Sequence, residues 1–249
     1  MRMIISPAKK MTANPDTLPH LQVPQFLAET EVLRDYLASL TYEEAKALWK
    51  CSDRLAKPNY ENHRALDLHR NLTPAILCYE GIQYQYMAPA VFEESALAYL
   101  EEHLRILSGF YGILRPFDGV VPYRLEMQAA VFVQGYKTLY EFWGSRLAEQ
   151  LSAETDCIIN LASKEYSMCI SKYLGEKIRF ITCRFGELQN DKVKEKGTLC
   201  KMARGEMVRY MAEHQIETIE GLKNFSGLGF QYDAERSDEK NIFFLKKSA

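Results

Sequence analysis

Histidine is scarce in this chain of 249 residues, and the five that occur (His20, His63, His69, His103 and His214) are scattered with no metal-ligand spacing. The six cysteines form no C-x-x-C pair, so a zinc site is not expected and no metal is assigned. Phosphate-loop and dinucleotide fingerprints are absent, and no cofactor is assigned. No apolar run is long enough to span a bilayer, which argues against a membrane partner. The opening Met1 to Ser6 is too short for a signal-peptide core and runs into a lysine pair, so the expected compartment is the cytoplasm, with reduced thiols packed as small apolar groups. There is no internal repeat, low-complexity tract or linker. With 47% hydrophobic and 26% charged residues, the chain is expected to form one compact mixed α/β (α+β) domain over residues 1–249, a central mixed sheet flanked by helices.

Net charge is also small, at -2, so nothing global announces a nucleic-acid partner. The charge is uneven, however. From Lys172 to Arg209 there are ten Lys/Arg against five Asp/Glu, enough for one basic face.

Leu107 to Met127 stands out. It holds three glycines, two prolines, two arginines, two acids and four aromatics. Leucines at three- and four-residue intervals predict a helix over Val91 to Ile106, stopped by Gly109 or Gly112. Pro116 and Pro122 then bar regular structure. The expected product is an irregular path holding Arg115, Asp118, Tyr123, Arg124 and Glu126 close together. They form either a buried ion-pair knot or part of a site.

Elsewhere, Arg2 to Ser6 and Cys157 to Leu161 read as buried strands. Gln25 to Leu40 and Leu199 to His214 read as amphipathic helices. Thr41 with Glu44 forms a capping box. Ser52 to Leu72 reads as a helix broken at Pro58, Ala75 to Tyr79 as a strand, Gly81 to Ala90 as irregular, and Thr138 to Leu151 as one helix. Lys177 to Phe185 is a further strand, and Gln231 to Asp233 with Ile242 to Leu245 reads as a hairpin.

Three constellations carry candidate chemistry. Ser6-Pro7-Ala8-Lys9 matches S-x-x-K, but no K-T-G follows, and Ser6 as a helix N-cap with Pro7 at the first turn is the better reading. Lys9 and Lys10 still sit at the C-terminal end of a strand, where ligand sites collect. Asn160, Ser163, Glu165 and Tyr166 lie at the end of a second buried strand and in the turn after it; singly each fits a structural role, and as a set they fit a site. Gly227-Leu228-Gly229 and Gly109 to Gly112 each approximate the glycine hairpin of helix-hairpin-helix DNA binders, with a plain helix stop as the rival reading of both.

The motifs Ser6-Pro7-Ala8-Lys9, Leu107-Ser108-Gly109-x-Tyr111-Gly112-x-Leu114-Arg115-Pro116, Pro122-Tyr123-Arg124-Leu125-Glu126-Met127, Phe142-Trp143-Gly144, Ile159-Asn160-Leu161-Ala162-Ser163-x-Glu165-Tyr166 and Lys201-x-Ala203-Arg204-Gly205 occur in this order. The chain thereby resembles the YaaA family of peroxide-stress proteins along its whole length. It departs at Lys10-Met11, where a Thr-Leu pair is expected, and at Ile82, where an Asp is usual. The resemblance implies a bacterial, cytoplasmic protein that helps limit iron-driven damage under hydrogen peroxide. It further implies a mixed α/β fold with a basic cleft, a helix-hairpin-helix element and non-specific duplex DNA binding, and no settled reaction.

Two functions follow as expectations. In the first, Lys9, Lys10, Arg115, Arg124, Lys201, Arg204 and Arg209 hold the phosphates of duplex DNA, assisted by the hairpin at Gly109 and Gly112. In the second, the same cleft is an active site for a small anionic ligand. Cations then hold the substrate among Glu126, Asn160, Ser163, Glu165 and Tyr166, with Glu126 or Glu165 as general base. Iron sequestration has no compact ligand set to support it.

Overall fold

The computed structural model describes residues 1–190 and 192–247. Strand β1 (Arg2–Ile5) is followed by β2 (Lys10–Met11) and helices α1 (Leu27–Ser39), α2 (Tyr42–Trp49) and α3 (Asp53–Arg64). The capping box opens α2: Glu44 N–H donates to Thr41 Oγ1, and Thr41 N–H donates to the Glu44 carboxylate at 2.8 Å. Next come β3 (Thr73–Pro74), α4 (Ala75–Cys78), β4 (Tyr79–Glu80), α5 (Ile82–Met87), α6 (Glu94–His103), β5 (Leu104–Ser108), β6 (Gly112–Leu114) and β7 (Gly119–Val120). The second half holds α7 (Leu139–Trp143), α8 (Arg146–Glu154), β8 (Cys157–Leu161), α9 (Lys164–Ser171), β9 (Arg179–Gln189) and β10 (Lys192–Lys194). It closes with α10 (Gly197–Glu213), α11 (Ile219–Lys223), β11 (Gln231–Asp233) and β12 (Asn241–Lys247).

Among the described residues, eight strands form one mixed sheet in the order β11-β12-β9-β8-β1-β5-β6, with β10 pairing β9 at the side. β1, β5, β8, β9 and β12 run parallel; β6, β10 and β11 are antiparallel to their neighbours. Parallel strands covered on both faces are apolar throughout, as Met3, Ile4, Ile5, Ile158 and Ile159 are here.

The topology sets the location of the site. From β1 the chain builds β5 on one side, then crosses to β8 on the other. Strand order therefore reverses at β1. In open α/β sheets such a reversal leaves a crevice beyond the carboxyl ends of the strands. Ser6 to Lys9 leave β1 there, and Ser163 to Tyr166 leave β8 there.

Several local expectations are corrected. The leucine period running past His103 does not continue as helix: Leu104–Ser108 is the fully buried strand β5, paired with β1. Arg105, only 3% exposed, is taken up there by Glu154 at 2.6 Å, so tertiary pairing overrides the helical pattern. Ala75–Cys78 is one helical turn and not a strand, and Ile82–Met87 is a helix where irregular chain is expected. Pro58 lies inside α3 without ending it. The helix expected over Thr138 to Leu151 is split at Gly144, which takes a φ of 53°. Ser6 does not cap a helix; Pro7 to Lys9 is irregular chain, bent at Lys9, leading into β2.

Candidate functional site

A cleft of about 590 Å³ opens at the switch point. Five segments meet there: the chain after β1, the β4–α5 junction, the run Tyr123 to Glu126, the β8–α9 turn, and α10 through Lys201 and Arg204.

Burial alternates along the irregular run Val121 to Ala129, which ends in a turn closed by the Ala129 amide donating to the Glu126 carbonyl at 3.0 Å. Val121, Tyr123, Leu125, Met127 and Ala129 point inward, which turns Arg124 and Glu126 together toward the cleft. Its inner face is anchored by a buried hydroxyl chain. Tyr123 Oη lies 2.8 Å from Tyr79 Oη and 2.6 Å from Ser108 Oγ, and Ser108 Oγ accepts the Tyr111 amide at 2.8 Å. Gly109 lies directly behind this run. A Cβ there would sit 2.6 Å from the Leu125 carbonyl oxygen, so only glycine permits the approach. The Arg124 amide donates to His63 Nε2 at 2.9 Å, which requires that nitrogen to be unprotonated; burial lowers the His63 pKa to about 4.

Glu126 takes Lys9 Nζ at 2.8 Å and Arg124 Nη2 at 3.4 Å, so one carboxylate joins two cations. Lys10 pairs with Glu80. The β1 and β8 ends are stitched together: the Ser163 amide donates to Ser6 Oγ at 2.8 Å, and the two hydroxyl oxygens lie 3.2 Å apart. Burial raises the Glu165 pKa, opposed by the Gln128 amide and reinforced by nearby Glu126. Burial also lowers the Arg204 pKa. Lys201 and Arg204 have no carboxylate at ion-pair distance among the described residues. The cleft carries five cationic and three acidic side chains, a surplus of two positive charges.

Of the residues singled out in the sequence, Lys9, Lys10, Arg124, Glu126, Ser163, Glu165, Tyr166, Lys201 and Arg204 line this one cleft. Others lie elsewhere. Asn160 is buried within the sheet, donating to Thr182 Oγ1 at 3.2 Å and accepting the Ala162 amide at 2.9 Å. Arg209 pairs with Glu213 at 2.9 Å, outside the lining. Gly109 sits in the buried turn after β5 and Gly112 opens β6, so this pair does not join two helices, and Gly227 to Gly229 is followed by β11. Neither glycine pair forms a helix-hairpin-helix.

The expected cluster of Arg115, Asp118, Tyr123, Arg124 and Glu126 splits in two. Arg115 and Asp118 line a separate pocket of about 310 Å³ with Gln22, Arg105 and Glu154. There Asp118 accepts Gln22 Nε2 and the Arg115 amide, each at 2.8 Å, and ties the N-terminal loop to the sheet edge. Burial pushes its pKa to about 7, with Glu101 adding to the rise. A carboxyl whose folded pKa exceeds its unfolded value favours the fold while protonated and loses that advantage as pH rises through the folded value. Unfolding free energy of the wild type should therefore fall relative to Asp118→Asn between pH 5 and 8. Urea titrations check this, and a difference that stays flat across the range contradicts it.

Gln83 and Tyr84 were not legible as site residues. They face the cleft because α5 packs against α10, a tertiary contact with no local signal. Tyr84 Oη donates to the Ser6 carbonyl at 3.1 Å and fixes the chain leaving β1.

Sheet order and cleft together define a mixed α/β protein with a cleft at a strand-order reversal. The family described as peroxide stress protein YaaA matches residues 1–236. A UPF0246 protein of Lachnoclostridium phytofermentans is 58% identical over 246 residues, covering 99% of this chain and 96% of the relative. UPF0246 proteins of Limosilactobacillus reuteri (51% over 249 residues; 99% and 100% covered) and Lactiplantibacillus plantarum (52% over 245 residues; 98% and 99% covered) are similar along the whole chain. The chain belongs to the YaaA family of peroxide stress proteins. Among the described residues no helix is long and apolar enough to cross a membrane.

Proposed function

We propose that the protein acts in the peroxide response by holding the phosphate backbone of duplex DNA in this cleft. The observation that carries the reading is the pair Lys201 and Arg204 on one face of α10, neither with a carboxylate at ion-pair distance among the described residues, while the neighbouring cations are held by Glu80 and Glu126. Unpaired cations lining a concave site favour an anionic ligand. Phosphate contacts position a duplex without reading its bases, so binding is sequence-independent. Affinity falls with salt as counterions are released; four contacts give a loss on the order of 100-fold between about 50 and 200 mM salt. Anisotropy titrations of a labelled duplex across that range check this. No binding at low salt, or binding indifferent to salt, contradicts it.

A second reading rests on Glu165, a carboxyl raised by burial and placed near Lys9 and Glu126. It would serve as general base on a small anionic substrate held by the same cations. Glu165→Gln separates the two. It leaves duplex affinity within about threefold under the first reading and abolishes turnover under the second.

A further inference from the structure

We propose that the floor of the cleft is a subsite for a terminal phosphate, a phosphomonoester such as the phosphorylated end of a strand, and not for an internal phosphodiester. The inference rests on the phosphate-binding reading above and narrows it.

The lining carries Lys9, Lys10, Arg124, Lys201 and Arg204 against Glu80, Glu126 and Glu165, a surplus of two. An internal phosphodiester carries one negative charge, whereas a monoester carries close to two at neutral pH. The backbone of a continuous duplex is a convex ridge, with sugars flanking each phosphate. A concave space of about 590 Å³ is of the size that takes small ligands and admits a protruding tip more readily than a ridge.

Arg124 Nε, Arg204 Nε and Gln83 Nε2 are buried side-chain nitrogens without a hydrogen-bond partner, and all three residues line this cleft. Buried donors are almost always satisfied, so three around one hollow mark a place completed by something else. A phosphodiester offers two free oxygens; a monoester offers three and more charge to match several donors. Because these nitrogens have no exposed surface, the side chains must turn as the ligand enters. Glu126 opposes an anion, but Lys9 and Arg124 already hold it.

Competition anisotropy on the full chain at fixed salt tests this with duplexes of one sequence. The duplexes carry phosphate ends, hydroxyl ends, or closed loops with no ends, alongside a free nucleoside monophosphate and inorganic phosphate. The phosphate-ended duplex should bind at least about tenfold tighter than the other two, and Gln83→Leu should narrow that ratio. A free monophosphate competing as strongly as the phosphate-ended duplex supports the subsite and assigns its ligand to small phosphate esters. Equal binding of all three duplexes overturns the terminal-phosphate inference and leaves backbone binding standing. No binding by any duplex, monophosphate or inorganic phosphate removes both.

Discussion

Replacing both Lys201 and Arg204 by alanine should lower duplex affinity by at least about 100-fold at low salt, because each charge-assisted hydrogen bond contributes about 1.5–3 kcal/mol. The slope of log affinity against log salt should become shallower by about two, one for each lost phosphate contact. These two residues are chosen because neighbouring cations are already engaged: Lys9 and Arg124 by Glu126, and Lys10 by Glu80. Arg115→Ala and Arg209→Ala serve as controls. Arg115 faces the pocket at Asp118, and Arg209 is held by Glu213 outside the cleft. Neither should change the slope. A double variant that binds as the wild type does, or controls that weaken binding equally, would place the ligand elsewhere.

Gly205→Ala should destabilise the fold by about 3 kcal/mol, at the upper end of what overpacking costs. Gly205 lies on α10 where that helix crosses α5, and an added Cβ would stand 2.1 Å from the Gln83 carbonyl oxygen and 3.0 Å from the Met87 amide nitrogen. Both are backbone atoms, so the helices themselves must part. Alanine is the better helix former by about 1 kcal/mol, which does not offset the clash. Because α10 carries Lys201 and Arg204 and α5 carries Gln83, the same shift pulls apart the cleft floor. Ligand affinity should drop with stability. Gly197→Ala provides the contrast: it sits at the start of the same helix, with nothing within 4 Å of an added Cβ. It should leave stability unchanged or raise it slightly. Urea unfolding of the two variants checks the pair, and equal midpoints would contradict the close helix crossing.

Much of the fold was legible where local chemistry decides it. Thr41 and Glu44 form their capping box, Cys157–Leu161 is a buried strand, and β11 pairs with β12 as a hairpin. Local pattern misleads where tertiary pairing decides. The leucines of Leu104 and Leu107 fit a helix by spacing, yet they belong to β5, because β1 offers a parallel edge and Glu154 takes up Arg105. Lys9, Lys10, Ser163 and Glu165 were legible because they follow buried strands, and such positions face the crevice of an open sheet. Arg115 could not be separated from Arg124 by sequence. They are nine residues apart in one turn-rich run, but the hydroxyl chain through Tyr123 turns Arg124 to the cleft, while Arg115 remains near Asp118. Gln83 carried no signal, since its place depends on the glycine contact between α5 and α10.

The central claim is that one hollow at the β1 switch point receives the anionic ligand. Hydrogen exchange of the full chain, with and without a saturating short duplex, tests it most directly. The account predicts slowed exchange in the segments around Ser6 to Lys10, Gly81 to Tyr84, Tyr123 to Glu126, Ser163 to Tyr166 and Lys201 to Arg204. Protection confined to other surfaces, with these five segments exchanging as in the free protein, would contradict it.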